Sequence, residues 1–224
     1  MNRLLLVRHG ENRANLTKEF SHRGVDYPLT PRGRLQAEQT AAYLQSFPVT
    51  HVFTSPLLRA KETADIITAA IGASLETLEA FREVAVGDLE GQPPTKAAWA
   101  EHDAIIGAWI AGDGSVRFPG GENFLELTAR VREGYKTILE GRDGETLVLV
   151  AHGGSLALPL LQLVPNIDRE LLHRTEHHNC AVSELEASFV EGALDLTLVR
   201  WASAEHLSGE AARFVPGTPV EGDL

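Results

Sequence analysis

The chain has a single cysteine, Cys180, in 224 residues. No internal disulfide can form, which fits a reducing compartment. Positive charge is also scarce: 20 Lys and Arg stand against 31 Asp and Glu, a formal net charge of −11. A generic nucleic-acid binder or an anionic-membrane protein needs a basic footprint, so neither partner is expected and any phosphate site has to be local. Long apolar runs are missing as well. The N-terminal one extends only from Leu4 to Val7 before Arg8 interrupts it, too short for a signal-peptide core or a membrane span. No internal repeat, low-complexity tract or heptad seam is present, which leaves the oligomeric state open. What remains is a cytoplasmic enzyme or binding protein of ordinary globular composition, long enough for one domain with a sizeable insertion.

Two buried strands dominate what is there. Arg3 to Val7 runs into Arg8-His9-Gly10-Glu11, and Leu147 to Ala151 runs into His152-Gly153-Gly154. Continuous apolar runs of this kind mark strands covered on both faces. Between them lie Asn12 to Tyr27, read as a long loop over the end of the first strand, and a helix with Thr30 as N-cap and Pro31 at its first position. A strand at His51 to Thr54 follows, then a second helix for which Ser55-Pro56 repeats the cap-plus-proline signal. Arg59 falls in that helix's first turn, against the dipole. Either it is solvated, or an anion sits between it and the helix N-terminus.

Leu75 to Leu78 is a weaker strand, and Phe81 to Gly91 carries too many carboxylates to be plain core. Residues 92–121 shift in composition, with Trp99, Ile106 and Trp109 as apolar anchors, and read as an inserted helical segment covering the site. A long helix through Phe124 to Ile138 comes next, and Ser155 to Val164 is expected to be helical, with Pro159 tolerated or kinking it. A hairpin over 181–188 and 194–201 turns at Glu191-Gly192. These pieces make one domain over residues 1–204, followed by a loosely ordered tail at 205–224.

Strand and helix alternation predicts an α/β fold, a three-layer α/β/α sandwich around a mostly parallel sheet, in which strand C-termini share one edge. Arg8, His9, Arg59, Glu83 and His152 can then converge. Two arginines and two histidines would bind a phosphoryl dianion, and one acid would protonate a leaving oxygen, so neither metal nor cofactor is called for. Glu79, Asp88 and Glu90 are alternatives for the carboxylate. Glu11 is read as a supporting hydrogen-bond group. His177, His178 and Cys180 lack metal-ligand spacing and are read as structural.

The blocks Leu-Val-Arg-His-Gly-Glu with Asn15, Thr54-Ser55-Pro56-Leu57-Leu58-Arg59-Ala60, Arg82-Glu83 leading to Glu90-Gly91, and Val150-Ala151-His152-Gly153-Gly154 together resemble the histidine phosphatase superfamily, also called phosphoglycerate-mutase-like. The resemblance spans roughly residues 4 to 202. It implies a phosphohistidine mechanism in which His9 is the nucleophile, His152 borders the transferring phosphoryl group, Arg8 and Arg59 neutralise its oxygens, and Glu83 shuttles the proton. By position, Asn15, Ser21 and the backbone at Gly153 would line the same pocket.

The resemblance leaves a choice of reaction. A mutase must hold a carboxylate and exclude water, which calls for cations in the cover segment, yet residues 92–121 offer only Lys96 and Arg117. Pro119-Gly120-Gly121-Glu122 resembles the phosphatase branch more closely. The expected activity is hydrolysis of a small phosphorylated metabolite. The phosphoglycerate mutase reading, which Arg23 or Arg117 would rescue, comes second, and a non-catalytic phospholigand-binding module third.

Overall fold

The structure, a computed structural model, describes residues 1–167 and 177–219. Its sheet has six strands in the order β3-β2-β4-β1-β5-β6. β1 (Asn2–Arg8), β2 (Val49–Thr54), β3 (Ser74–Thr77) and β4 (Thr146–Ala151) are parallel, while β5 (Val182–Val190) pairs antiparallel with β1, and β6 (Ala193–Ser203) antiparallel with β5. The apolar run of β1 is continuous because both faces are covered. Leu4 and Leu6 pack with α5 (Phe124–Leu139) through Leu127, Val131 and Tyr135. Leu5 and Val7 pack with α2 (Pro31–Leu44) and α3 (Leu58–Ile71) through Ala41, Leu44, Ala60 and Ile67. That alternation is the α/β/α sandwich. The β5–β6 turn has Glu191 at φ 52° and Gly192 at φ 83°, the primed hairpin geometry that suits twisted strands.

Several elements depart from the sequence reading. Residues 12–27 are not a plain loop: α1 (Arg13–Thr17) starts in a capping box between Asn12 and Asn15. The helix after β2 begins at Leu58, and Ser55 does not cap it; its Oγ turns inward, and the Asp26 carboxylate accepts from the Leu58 N–H at 2.8 and 3.0 Å instead. Pro159 divides the segment after β4 into α6 (Gly153–Ala157) and α7 (Leu160–Leu163).

The C-terminal segment also differs from the loose tail expected. Leu207 and Ala211 are buried on α2, and Gln36 Nε2 donates to the Ala211 carbonyl at 3.2 Å. Little periodicity is needed to anchor a strap by two small apolar contacts and side-chain hydrogen bonds. Residues 220–224 of that tail lie outside the described residues. Among the described residues no helix is long and apolar enough to cross a membrane.

Candidate active site

The C-terminal ends of β1, β2, β3 and β4 share one edge, where an open α/β sheet binds ligands. The antiparallel β5 brings its N-terminal end to the same place, so the residues just before it arrive there too. A cavity of about 360 Å³ opens above this edge.

His9 lies on its wall. β1 pins its backbone, with the His9 N–H donating to Ala151 O at 2.9 Å. Its Nδ1 lies 2.7 Å from the Gly10 carbonyl, which has only acceptor capacity, so Nδ1 carries the proton and the lone pair is at Nε2. Arg59 Nε donates to that Nε2 at 3.2 Å. Burial first, then the Arg59 and Arg8 guanidiniums, hold the His9 pKa well below its ordinary value, which keeps the ring neutral. Gly10 serves packing rather than ligand approach: a Cβ there would lie 2.5 Å from the Gly33 carbonyl of α2.

Arg59 is not solvated. It is 3% exposed and donates to Ser21 Oγ at 2.8 Å and Ser21 O at 3.0 Å. The anion beside it and the α3 N-terminus is the protein's own Asp26, whose carboxylate lies 3.6 Å from Nη1. Burial lowers the Arg59 pKa to about 10, with Glu83 and Asp26 opposing the shift, so the guanidinium stays charged at neutral pH. Arg8 is likewise buried and donates Nη1 to His177 O, while its Nε has no partner.

His152 is not on the cavity wall. It is fully buried behind His9, ring centroids 5.1 Å apart, with Nε2 lying 2.6 Å from Ser55 Oγ and Nδ1 unpartnered. Ser55 Oγ also accepts from the Leu57 N–H at 3.3 Å. Burial, then Arg59, His9 and Arg8, push the His152 pKa well down.

Glu83 also lines the cavity, held on the first amides of α6. Its Oε1 accepts from Ser155 N and Val84 N, both at 2.9 Å, and Oε2 from Gly154 N at 3.2 Å. Gly154 makes this possible: a Cβ would lie 2.7 Å from Val84 Cγ2 and 2.8 Å from Glu83 Oε1. At Gly153 a Cβ would come no nearer than 3.7 Å, at Arg8 Nε, so the protein itself leaves that space open.

The alternative carboxylates have other tasks. Glu90 Oε1 accepts the backbone N–H groups of His22, Arg23, Gly24 and Val25 at 2.5 to 3.1 Å, and these outweigh the opposing effect of burial to lower its pKa. It ties the loop after α1 to the Glu83 segment. Glu79 pairs with Arg82. Glu11 accepts from Thr30 Oγ1 at 2.7 Å and from Arg32, a supporting role at the start of α2.

Asn15 and Ser21 both line the cavity. Three other contributors were not expected at the site from sequence. Asn179 Nδ2 donates to His9 O at 3.0 Å and Asn15 Oδ1 at 3.2 Å, bracing the His9 backbone. His177, held near pKa 3 by burial and then Arg8, lies on the cavity wall. Arg130 on α5 pairs with Glu122 at 2.7 Å and donates to the carbonyls of Ala80, Arg82 and Glu83, clamping the Glu83 segment from behind. The histidines ahead of β5 were a visible signal; no sequence pattern links residue 130 to 83.

The cover is α4 (Lys96–Ala111), whose Trp99, His102 and Ile106 reach the cavity. Arg23, Lys96 and Arg117 do not line it; Arg117 is spent on Glu126 at 2.5 Å and Gly121 O at 2.7 Å. Among the described residues no group of His, Cys, Asp or Glu is arranged to hold a metal ion.

A family model for the histidine phosphatase superfamily (branch 1) matches residues 4–199, and the chain belongs to that superfamily. A protein of Yersinia enterocolitica named "Probable phosphoglycerate mutase GpmB" is 34% identical over 194 residues, covering 83% of this chain and 85% of that one. Among solved structures, Bacillus stearothermophilus YhfR superposes with TM-score 0.74 at 25% identity, over 92% of this chain and 99% of the other. A mycobacterial glucosyl-3-phosphoglycerate phosphatase in complex with VO3 gives TM-score 0.74 at 25% identity, over 91% and 100%.

Proposed function

We propose that this histidine phosphatase superfamily member is a phosphomonoester hydrolase acting on a small phosphorylated metabolite through a phosphohistidine at His9 Nε2. The observation that carries this reading is the orientation of His9, with Nδ1 fixed on Gly10 O and a neutral Nε2 beside Arg59 at the cavity. A phosphoryl group arriving there takes over the Arg59 contact and meets Arg8, which has a buried unpartnered Nε. His152, buried behind the His9 ring and off the cavity wall, supports His9 from the interior.

The first step forms the N–P bond from the Nε2 lone pair as the ester P–O bond breaks, and Glu83 gives its proton to the departing alkoxide. In the second, the Glu83 carboxylate takes a proton from water, whose oxygen attacks phosphorus, and the N–P electrons return to Nε2. Asn15 and Ser21 position the phosphoryl group, Ser21 through Arg59. The Gly153 backbone lines the space that its missing Cβ leaves.

The mutase reading is second, favoured by the name of the Yersinia relative. Against it, Arg23, Lys96 and Arg117 all lie off the cavity wall, and Lys18, which does line it, gives its ammonium to the Asn15 and Pro216 carbonyls. The deciding experiment offers 3-phosphoglycerate and p-nitrophenyl phosphate to the enzyme. Release of inorganic phosphate from either, with an acid-labile phosphoenzyme on rapid quench, is expected. Interconversion of 3- and 2-phosphoglycerate that depends on bisphosphoglycerate, without net phosphate release, would replace this reading by the mutase one. Tight binding with neither reaction would indicate a binding module.

A further inference from the structure

We propose, on the premise that this site hydrolyses phosphomonoesters, that Trp99 determines its specificity, and that preferred substrates carry a bulky apolar or aryl group on the alcohol rather than a compact carboxylate. Trp99, His102 and Ile106 follow one another on α4 at i, i+3 and i+7, so one helix face is presented to the cavity. The two tryptophans of this helix have different surroundings. Trp109 is 2% exposed with its indole N–H on Val116 O, whereas Trp99, 9% exposed in the same hydrophobic core, also forms part of the cavity wall.

That wall is fixed before any ligand arrives. The Trp99 indole N–H donates to Lys18 O at 3.1 Å, and the Phe20 ring lies 4.6 Å away, tilted by 31°. Lys18 turns its carbonyl there from a left-handed conformation, φ 61°, while its ammonium donates to Asn15 O at 3.1 Å and Pro216 O at 2.9 Å. An indole held in place loses little entropy on binding. Val86 and Leu158 extend the apolar surface.

Charge on the cavity wall is arranged to match. Arg8 and Arg59 stand at the phosphoryl end, while Glu19 lies on the wall near α1, accepting from Thr17 Oγ1 at 2.5 Å, beside Lys18, whose ammonium is directed to the Asn15 and Pro216 carbonyls. An acid there repels a second anionic group on the substrate. His102 is engaged with Asp103, Nδ1 to Oδ1 2.9 Å. The cavity therefore takes a dianion at one end and an uncharged, apolar body at the other.

The test uses primary alkyl esters with similar leaving groups: 3-phenylpropyl phosphate, glycerol 3-phosphate and 3-phosphoglycerate. Wild type is expected to favour the first in kcat/KM by roughly tenfold or more, and Trp99→Ala to shrink that ratio by roughly tenfold, mainly through KM. Trp99→Phe, which keeps an aromatic face, should retain most of the preference. A ratio unmoved by Trp99→Ala, or a wild type that prefers 3-phosphoglycerate, overturns the proposal. If Trp99→Ala does not fold by thermal melt, Ile106→Asn is read in the same way. Calorimetric titration of the same esters into His9→Ala separates this inference from the hydrolase reading. Absent turnover with a retained preference for the phenylpropyl ester would sink only the hydrolase reading, and equal affinities would sink this one.

Discussion

The two strand-to-histidine corners of this protein read almost alike and are built to different ends. After β1, His9 reaches the cavity with one ring nitrogen tied to its neighbour's carbonyl and the other beside Arg59. After β4, His152 turns back into the interior, fully buried on Ser55, and the chain enters α6 at once. The glycines differ in the same sense. Gly10 is needed because the α2 backbone lies against it, while Gly154 is needed because Glu83 does. A shared local sequence thus yields a cavity-lining histidine at one corner and a histidine turned into the interior at the other, and what differs is which element packs against each.

The sharpest way to break this comparison is to remove each histidine. His9→Ala should abolish the phosphoenzyme and lower kcat on the order of 10⁴-fold or more, as loss of a covalent nucleophile does. His152→Ala should cost about 10² in kcat, the scale of a misplaced reacting group, with His9 still labelled in a rapid quench. Equal losses of label in both variants would mean that the two corners are not functionally distinct.

A smaller effect separates the acid from the clamp. Glu83→Gln should slow alkyl phosphate hydrolysis by about 10² to 10³, yet much less for p-nitrophenyl phosphate, whose leaving group needs no proton. Equal loss on both substrates would remove Glu83 from the proton-transfer role. Among the glycines, Gly10→Ala should destabilise by about 1–3 kcal/mol in urea unfolding, since the intruded atom is backbone that cannot rotate away. Gly153→Ala, with ordinary contacts, should leave stability close to wild type.

The smallest expected effect is shared by both corners. His9 and His152 are held neutral, as are His177, near pKa 3, and His206, near 4. Unfolded histidines titrate near ~6.5, so between that pH and about 4 the unfolded chain binds more protons than the folded one. Stability is flat in this respect above the window and falls as pH is lowered through it. Tm should decline from pH 7 to pH 4.5; a Tm that rises over this range would contradict buried neutral histidines.

The site's chemistry was legible because it sits in contiguous blocks: Arg8 and His9 at a strand end, Arg59 after a strand, His152 at another. The positioning groups were not, because they act across the chain. Asn179 reaches His9 only because β5 is antiparallel, and Arg130 clamps Glu83 across 47 residues. Asp26 caps α3 from a loop whose path no periodicity encodes. The tail misled for the same reason, since its anchors are isolated contacts on α2.

By itself, then, the sequence determined the layers and the gathering of Arg8, His9, Arg59 and Glu83 at one cavity. Apolar alternation and strand-ending histidines are local properties, and a parallel sheet gathers strand ends at one edge whatever the loops do. Only the tertiary structure decided which histidine faces the cavity, which glycine gives way to which neighbour, and that Trp99, part of the core, also lines the cavity. Those outcomes depend on backbone carbonyls and side chains brought together from distant parts of the chain, and no local pattern records which ones will meet.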